Sequence, residues 1–232
     1  LTVLIPMLDS SASSDREMLP FFTDLVTQTD EARRRFENNP TILDAVANGM
    51  PIDRYRRLLL ELYQLVWNFN PSCAAAASRL SDLQRSVRYF LYAHMQEESG
   101  HETWVANDLE AVGVSFEDVQ KHSPSVDTLA LVGYNYWSAD RRQPTSILGM
   151  MYVLEVIASV YGGPFSSAIK ESLMLDGDRG TSFISSHASI DVEHMAILRG
   201  VLNTIEDTHS QQAIVESAIV NFHQVAKIFS AI

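Results

Sequence analysis

The residues of this chain with the clearest potential for chemistry form two triplets, each with two histidines and one carboxylate at the same spacing. The triplets are His94, Glu98 and His101, and His187, Asp191 and His194. Because residues at positions i, i+4 and i+7 lie on one face of an α-helix, each triplet is expected to project its three side chains from a single helix face. Imidazole and carboxylate ligands together suit iron or manganese, and also zinc. The two triplets therefore predict a helical bundle whose core holds metal.

Glu155 is a further candidate because it is a lone acid within the apolar segment 148–160. An uncompensated buried carboxylate is costly, and Glu155 has no cation three or four residues away, so we expect a metal or a base to compensate it. Glu61 lies in a similar apolar segment, but Arg57, four residues earlier, offers it an ion pair on the helix surface. For Glu61 the sequence leaves a structural ion pair and a place in the site both open.

The sequence predicts an all-α fold in which the two triplets lie on separate long helices. We identify no strand-like alternation of apolar and polar residues, and glycine and proline are sparse, at 10 and 8. After a loose arm at about 1–13, we expect helices over about 14–38, 40–48, 51–77, 82–111, 126–138, 145–174, 181–206 and 209–231. Asn70-Pro71 is expected to kink or break the third of these, and Gly162-Gly163-Pro164 to bend the sixth. The expected architecture is a bundle of about seven helices.

Composition limits the classes of function that are open to the chain. Its 232 residues suffice for one domain with a substantial core. A net charge of −12 disfavours nucleic acid and anionic membrane surfaces as partners. The single cysteine, Cys73, excludes an internal disulfide and a cysteine zinc cluster, and it fits a cytoplasmic protein. We identify no signal peptide, and no stretch that approaches the roughly 20 apolar residues of a membrane span.

The run formed by Glu98, His101, Glu155 and the His-x3-Asp-x2-His element of residues 187–194 resembles the heme-oxygenase-like di-iron oxidase and oxygenase superfamily. The resemblance covers about residues 50–205, and the His-x3-Asp-x2-His element is its most specific part. Proteins of this superfamily share an all-α, heme-oxygenase-like helical fold with the TenA-like, PqqC-like and CADD-like proteins. The resemblance implies that residues 1–232 form one such helical domain.

The resemblance also implies which residues hold the metal. Carried over position by position, the ligands are Glu98, His101, Glu155, His187, Asp191 and His194. Some members of the superfamily place the first carboxylate two turns before the first histidine, where this chain has His94, and others place it one turn before, where it has Glu98. We therefore assign Glu98 as the ligand, and we treat His94 and Glu61 as candidates for an additional ligand or for contacts with the ligands.

What the resemblance implies for activity is oxygen chemistry on a small organic molecule. Such enzymes bind Fe(II), here expected as two ions, and react with O2. Their reactions include N-oxygenation of amines, oxidative decarboxylation and C–C cleavage. Relatives are often homodimers, so we expect a homodimer here too. We expect no catalytic residue apart from the metal ligands, and we predict that Trp104, Tyr136, Tyr152 and Tyr161 form the pocket wall.

Three other interpretations remain open at the level of sequence. A metal-free TenA-like hydrolase of a pyrimidine or thiamin fragment needs a cysteine nucleophile with an acid partner, and the chain offers only Cys73, among alanines that supply no base. A cofactorless PqqC-like oxidase shares the fold but does not account for the carboxylates among the histidines. A non-catalytic protein of this fold takes up metal without consuming O2. Heme oxygenase is disfavoured because the first histidine of the chain is His94.

Overall fold

The computed structural model describes residues 20–232, and for residues 190–192 it describes the backbone alone. The expected arm at 1–13 and the expected helix start at Ser14 or Asp15 lie outside the described residues. Within the described part, the α-helices are α1 (Phe21–Glu37), α2 (Pro40–Asn48), α3 (Ile52–Arg79), α4 (Arg85–Glu97), α5 (His101–Ala111), α6 (Phe116–Lys121), α7 (Val126–Arg141), α8 (Ile147–Ile157), α9 (Gly163–Leu173), α10 (Ser182–Leu202) and α11 (Thr208–Ala231). These residues include no strand, so the all-α expectation is confirmed.

The first two helices follow their local sequence signals closely. Pro20 is extended, at φ −50° and ψ 137°, and α1 begins directly after it. Helix α2 has the predicted bounds because the Asn39 side chain accepts a hydrogen bond from the Thr41 N–H, and because Pro40 occupies the first helical position. Gly49 ends α2 at φ 73°, a backbone conformation that glycine adopts without steric cost.

Helix α3 runs without interruption through Pro71, so a break at Asn70-Pro71 was the wrong expectation. Proline removes one backbone donor from a helix and leaves a carbonyl one turn earlier without its usual partner. Pro71 and Trp67, whose carbonyl loses that bond, both lie on the exposed face of α3, where water can satisfy the carbonyl. The Asn70 side chain donates to the Met95 carbonyl at 3.1 Å and thereby joins α3 to α4.

The helix expected over 82–111 is divided into α4 and α5, and this corrects the prediction that the first triplet lies on one helix. The chain leaves α4 after Glu97, and Gly100 has the left-handed φ of 96°. The first triplet therefore has His94 on α4, Glu98 in the connecting turn and His101 at the start of α5. Such divisions give the described part eleven α-helical segments where about seven were expected.

The apolar helix expected over 145–174 is present, and its bend is a π-helical segment. Residues Ala158–Gly162 form this π-helix between α8 and α9. The stretch Pro144–Leu173 is long enough to cross a membrane and contains an 18-residue window with a mean hydropathy of 1.4, contrary to our sequence expectation. However, 56% of its most apolar window is buried inside the fold, as is usual for a core helix of a soluble protein.

The apolar core consists of two clusters that meet near the triplets. The first cluster joins α1, α2, α3, α4, α7, α8, α10 and α11, and Leu148, Tyr152 and Phe222 lie fully inside it. The second cluster joins α2, the start of α3, α5, α6 and α9, and it includes Tyr55 and Leu109. Helices α8 and α10, which carry Glu155 and the second triplet, lie against each other and against the π-helix. The fold therefore brings His94, Glu98, His101, Glu155, His187 and His194 to a common interior location.

Candidate metal centre

The carboxylate of Glu98 lies between two pairs of histidines. One of its oxygens, Oε2, is 2.7 Å from His101 Nδ1 and 3.6 Å from His187 Nε2. The other, Oε1, is 3.9 Å from His94 Nε2 and 3.8 Å from His194 Nδ1. Each oxygen of this carboxylate therefore faces one imidazole pair, and Glu98 could contribute a ligand atom beside either pair.

Glu155 completes the environment of the second pair. Its Oε1 lies 3.4 Å from His194 Nδ1 and 3.8 Å from His94 Nε2. Glu155, His94 and His194 are all buried. The lone acid of the apolar helix α8 is therefore placed against two imidazoles, as its sequence context predicted.

The spacing of the donor atoms fits metal ions. Ligand atoms that bind one ion at about 2.1 Å lie about 3 to 3.5 Å from each other. His101 Nδ1 and His187 Nε2 are 3.2 Å apart, and together with a Glu98 oxygen they form a group whose ligand atoms all lie within 4.8 Å of one another. His94, His194 and a Glu97 oxygen form a second such group. The donor set of imidazoles and carboxylates suits iron.

The orientation of His187 is fixed from the helix that carries it. Its Nδ1 donates to the Phe183 carbonyl at 2.9 Å, and this contact aims Nε2 at His101 and Glu98. Asp108 of α5 fixes the start of the same helix by accepting hydrogen bonds from the N–H groups of Ser182 and Phe183, both at 2.9 Å, and from the Ser182 hydroxyl. The sequence analysis missed Asp108, whose signal is an acid on the buried face of a helix.

Aromatic rings hold the imidazoles on the sides that do not face the carboxylates. Trp104 stacks on His101 with ring centroids 4.1 Å apart, and Phe183 packs on His187 at 4.0 Å. His94 lies between Phe69 and Phe90, each with its ring centroid at 5.6 Å. These contacts restrict the rings to the rotamers that aim their nitrogens at Glu98 and Glu155.

The pKa shifts of His94 and Glu98 favour the protonation states that bind metal ions. Burial lowers the pKa of His94 to about 4, so its imidazole is neutral near pH 7. Burial acts to raise the pKa of Glu98, but hydrogen bonding with His101 and His187 outweighs it and holds that pKa well below its usual range. Neutral imidazoles and an ionised carboxylate are the forms that bind metal ions.

A cavity of about 200 Å³ opens beside this cluster. Its wall is mostly apolar, and the apolar part comes from seven helices and the π-helix, with Leu62, Phe69, Leu154, Phe165 and Ile228 as examples. His94, Glu98, Glu155 and His187 form one part of the wall, so any metal held there faces the cavity. The geometry provides an apolar compartment next to a polar cluster that could hold metal.

The four aromatic residues predicted for the pocket wall have different positions. Tyr161 of the π-helix lines the cavity, whereas Trp104 stacks on His101 outside it. Tyr152 is fully buried in the core beside Phe22 and Phe222, and its hydroxyl lies 3.4 Å from the Thr29 hydroxyl. Tyr136 donates to Asn68 at 3.4 Å. Only Tyr161 therefore fulfils the pocket-wall expectation among these four.

Glu61 is held by partners away from the triplets. It accepts hydrogen bonds from the Ser125 backbone N–H at 3.1 Å and from the Ser125 hydroxyl at 3.0 Å, and His122 Nε2 lies 3.1 Å from it. Arg57, the ion-pair partner considered from the sequence, donates instead to the Ile232 carbonyl. Glu61 thus caps α7, and its position gives no support to a role as a ligand or as a contact of the ligands.

Two further acidic residues complete the comparison with the sequence prediction. Glu97, which the sequence analysis did not select, has a 54% exposed side chain whose Oε2 lies 3.4 Å from His194 Nε2. Its signal is adjacency to Glu98 at the end of α4. Asp191 belongs to α10, but its side chain lies outside the described residues. Its assignment as a ligand therefore stays a prediction.

The profile of a protein family described as iron-containing redox enzymes matches residues 56–220. This match spans most of the chain, and the protein belongs to that family. A search of curated proteins found no match.

Solved structures show the same fold. The chain is similar to a domain of unknown function with a heme-oxygenase-like fold from Shewanella denitrificans, at 23% identity over 90% of each chain with a TM-score of 0.81. It is similar to a TenA homologue from Pseudomonas syringae, at 12% identity over 96% of this chain and 98% of that one, with a TM-score of 0.77. It is also similar to heme oxygenase from Leptospira interrogans, at 18% identity over 92% and 100%, with a TM-score of 0.75. At these identities the likeness establishes the heme-oxygenase-like fold alone.

Proposed function

We propose that this protein is a non-heme, di-iron oxidase or oxygenase that uses O2 to oxidise a small organic molecule. The observation that carries the proposal is the position of Glu98, whose two oxygens face two separate pairs of histidines. Membership of a family of iron-containing redox enzymes supports iron over manganese or zinc.

The protein's own residues would hold the two metal ions. Glu98, His101 and His187 would hold one ion, His94, His194 and Glu155 would hold the other, and Glu98 would contribute to both. Asp191 is proposed as a further ligand on α10, and Glu97 as a more exposed contact of His194. The carboxylates of Glu98, Glu155 and Asp191 offset most of the charge of two divalent ions. Iron bound there supplies the electrons that activate O2.

The apolar cavity supports the second half of the proposal. It holds a small substrate against the cluster and excludes bulk water from it. Exclusion of water protects a reactive oxidant from side reactions and strengthens the electrostatic interactions of the ligands. We further propose that residues 1–232 form one domain and that the protein acts as a cytoplasmic homodimer, without nucleic acid or membrane partners.

The position of Cys73 favours the oxidase over the thiol-dependent hydrolase. Cys73 is completely buried in the core and is not among the residues that line the cavity. Burial raises the pKa of its thiol and so disfavours the thiolate that a nucleophile requires. The fold shared with the TenA homologue is compatible with either function, so the cluster of histidines and carboxylates is what favours the oxidase.

A measurement of O2 uptake tests the proposed function. Protein loaded with Fe(II) under argon is mixed with oxygenated buffer, and O2 consumption and iron oxidation are followed for the parent, His187→Ala and Cys73→Ala. We expect the parent and Cys73→Ala to consume O2, because the thiol has no part in the reaction. His187→Ala should lose O2 consumption, because it lacks one of the proposed iron ligands. Iron-loaded parent that consumes no O2 above the rate of free Fe(II) contradicts the proposal.

A further inference from the structure

The cavity wall contains, apart from the metal-binding cluster, one polar side chain among its described residues. This residue is Tyr161, on the π-helix that follows α8. Its hydroxyl donates to Glu37 Oε1, and Glu37 in turn accepts from Arg33 at 3.0 Å. Phe36 packs against the Tyr161 ring with a centroid distance of 5.7 Å. The phenol is thus fixed in place by α1.

The hydrogen bond with Glu37 determines what Tyr161 can offer to a ligand. A phenol has one hydrogen to donate and an oxygen that accepts. Because a carboxylate takes the hydrogen, and because burial and Glu37 both raise the Tyr161 pKa and keep the phenol protonated, the oxygen is left as an acceptor. The Tyr161 oxygen can therefore accept a hydrogen bond from a ligand, and hydroxyl and amine groups are the ligand groups that donate one.

The charges around the cavity point in the same direction. No lysine or arginine occurs among the described residues that line it, whereas Glu98 and Glu155 do. A carboxylate or phosphate placed against this wall, away from the metal, has no cation to compensate it, and an uncompensated buried charge is costly. The size of the cavity, about 200 Å³, admits a ring or a short chain, since a cavity of about 150 Å³ admits benzene.

We propose that the substrate is a compact apolar molecule with one hydroxyl or amine group, which the Tyr161 oxygen accepts while the apolar body fills the cavity beside the cluster. This inference rests on the proposed function for its reaction, but the binding preference itself does not require metal. Tyr161 is on this account a specificity-determining residue that places the substrate relative to the cluster, and it takes no part in binding the metal.

The experiment compares four probes that share a benzene ring and differ in their polar group. Phenethyl alcohol, phenethylamine, ethylbenzene and phenylacetate are titrated by calorimetry into the parent, Tyr161→Phe and the matched control Tyr63→Phe, whose ring lies outside the cavity wall. Each titration is performed on Fe(II)-loaded protein under argon and again on metal-free protein. If iron does not bind, the proposed function fails, and the metal-free titrations still decide the preference.

We expect the parent and Tyr63→Phe to bind the alcohol, and the amine in its uncharged form, about five- to tenfold more tightly than ethylbenzene, which corresponds to one net hydrogen bond. Tyr161→Phe should lose this preference while its Kd for ethylbenzene stays unchanged. In metal-free protein, phenylacetate should bind most weakly of the four. An unchanged preference in Tyr161→Phe, tightest binding of phenylacetate to metal-free parent, or no binding of any probe to the parent overturns the proposal.

A second variant keeps the test decisive if Tyr161→Phe does not fold. Glu37→Gln retains the size of the side chain but presents an amide that can donate to the phenol oxygen and occupy its acceptor position. We expect Glu37→Gln to lower the preference for the alcohol over ethylbenzene as well. A folded Glu37→Gln protein with the full preference contradicts the assigned role of the phenol oxygen.

Discussion

At the scale of single residues, Glu98 determines how the two histidine pairs relate to each other. Its Oε2 serves His101 and His187, and its Oε1 faces His94 and His194. Among the described residues, the other proposed ligands divide into two sets, His101 with His187 and His94 with His194 and Glu155, and Glu98 contacts both sets. Substitution of a histidine in one set is therefore expected to affect one metal position, whereas substitution of Glu98 is expected to affect both.

His101 belongs to one set, and its removal is expected to empty one metal position. We predict that His101→Ala binds about one Fe(II) where the parent binds about two, because His94, His194 and Glu155 remain in place. The measurement is anaerobic titration with Fe(II), followed by desalting and iron analysis. His223→Ala, which removes an exposed histidine of α11, is the matched control and should bind as the parent does. Retention of both ions by His101→Ala would refute its assignment.

Glu61 gives a prediction for stability and its pH dependence. Burial acts to raise the pKa of Glu61, but hydrogen bonds from Ser125 and His122 lower it below its usual value. A carboxyl whose folded pKa is depressed contributes stability that is complete above the unfolded pKa of about 4.3 and disappears as pH falls through the folded pKa. Glu61→Gln should therefore reduce the free energy of unfolding by about 1 to 3 kcal/mol at pH 7.

The reduction caused by Glu61→Gln should shrink as the pH is lowered below about 4. Urea unfolding of the parent and the variant at several pH values measures both quantities. Glu117→Gln is the control, because Glu117 is exposed and pairs only with Lys121 on the surface of α6, where ion pairs contribute little. A loss that is equal at all pH values would show that the charge of Glu61 is not the source of its effect.

At the scale of elements, two departures from regular helix position the site. The turn at Glu98 and Gly100 separates α4 from α5, and Glu98 lies in this turn between His94 of α4 and His101 of α5. The π-helix Ala158–Gly162 follows Glu155 on α8 and carries Tyr161 into the cavity wall. Such π-helical segments occur frequently at functional sites. A regular α-helix through either segment would direct Glu98 or Tyr161 away from its observed position.

The close crossing of α8 and α11 yields a prediction about Gly149. A Cβ at Gly149 lies 2.3 Å from the Ile214 carbonyl oxygen and 2.9 Å from the Ala218 nitrogen, so backbone atoms would have to move. We predict that Gly149→Ala lowers the free energy of unfolding by about 1 to 3 kcal/mol, as overpacking does. Urea unfolding provides the measurement.

Gly133→Ala is the matched control for this crossing, because a Cβ at Gly133 on α7 has no neighbour within 4 Å. In an exposed helix, replacement of glycine by alanine stabilises by up to about 1 kcal/mol. The two substitutions should therefore have opposite signs. Equal effects of the two would contradict the close packing of α8 against α11.

At the scale of the whole molecule, the cavity lies where the two core clusters meet. Leu58 and Phe165 of the second cluster and Phe36 and Ile228 of the first all line it. The cluster of imidazoles and carboxylates forms part of the same wall, and the compartment is therefore built by the fold as a whole. This arrangement explains how helices from across the chain contribute to one small site.

Local signals explain which parts of this architecture the sequence predicted. The bounds of α2 were predicted correctly because Asn39, Pro40 and Gly49 are local signals at the two ends of that helix. The continuation of α3 through Pro71 depends on which face of the helix meets water, and that is a property of the tertiary fold. In the same way, the partners of Glu61 lie more than 60 residues away, at His122 and Ser125. No local pattern reports such contacts.

The histidine and carboxylate spacings indicated side chains that the structure brings together, but they did not predict how these side chains are arranged. Two triplets at matching offsets identified the His94–Glu98–His101 region and α10, which the structure brings together with Glu155. The role of Glu98 between two pairs was not predictable, because it depends on the turn at Gly100. The position of Tyr152 in the core instead of the pocket follows from the rotation of α8, which its almost wholly apolar sequence does not specify.

The amount of iron bound per chain tests the central claim most directly. Parent protein, Glu98→Gln and the control Glu110→Gln, which alters an exposed acid of α5, are loaded with Fe(II) under argon, desalted and analysed for iron. The account predicts about two ions per chain in the parent and in the control, and a loss at both positions in Glu98→Gln, because this carboxylate is shared. Folded parent that retains no iron, or Glu98→Gln that retains as much as the parent, would contradict it.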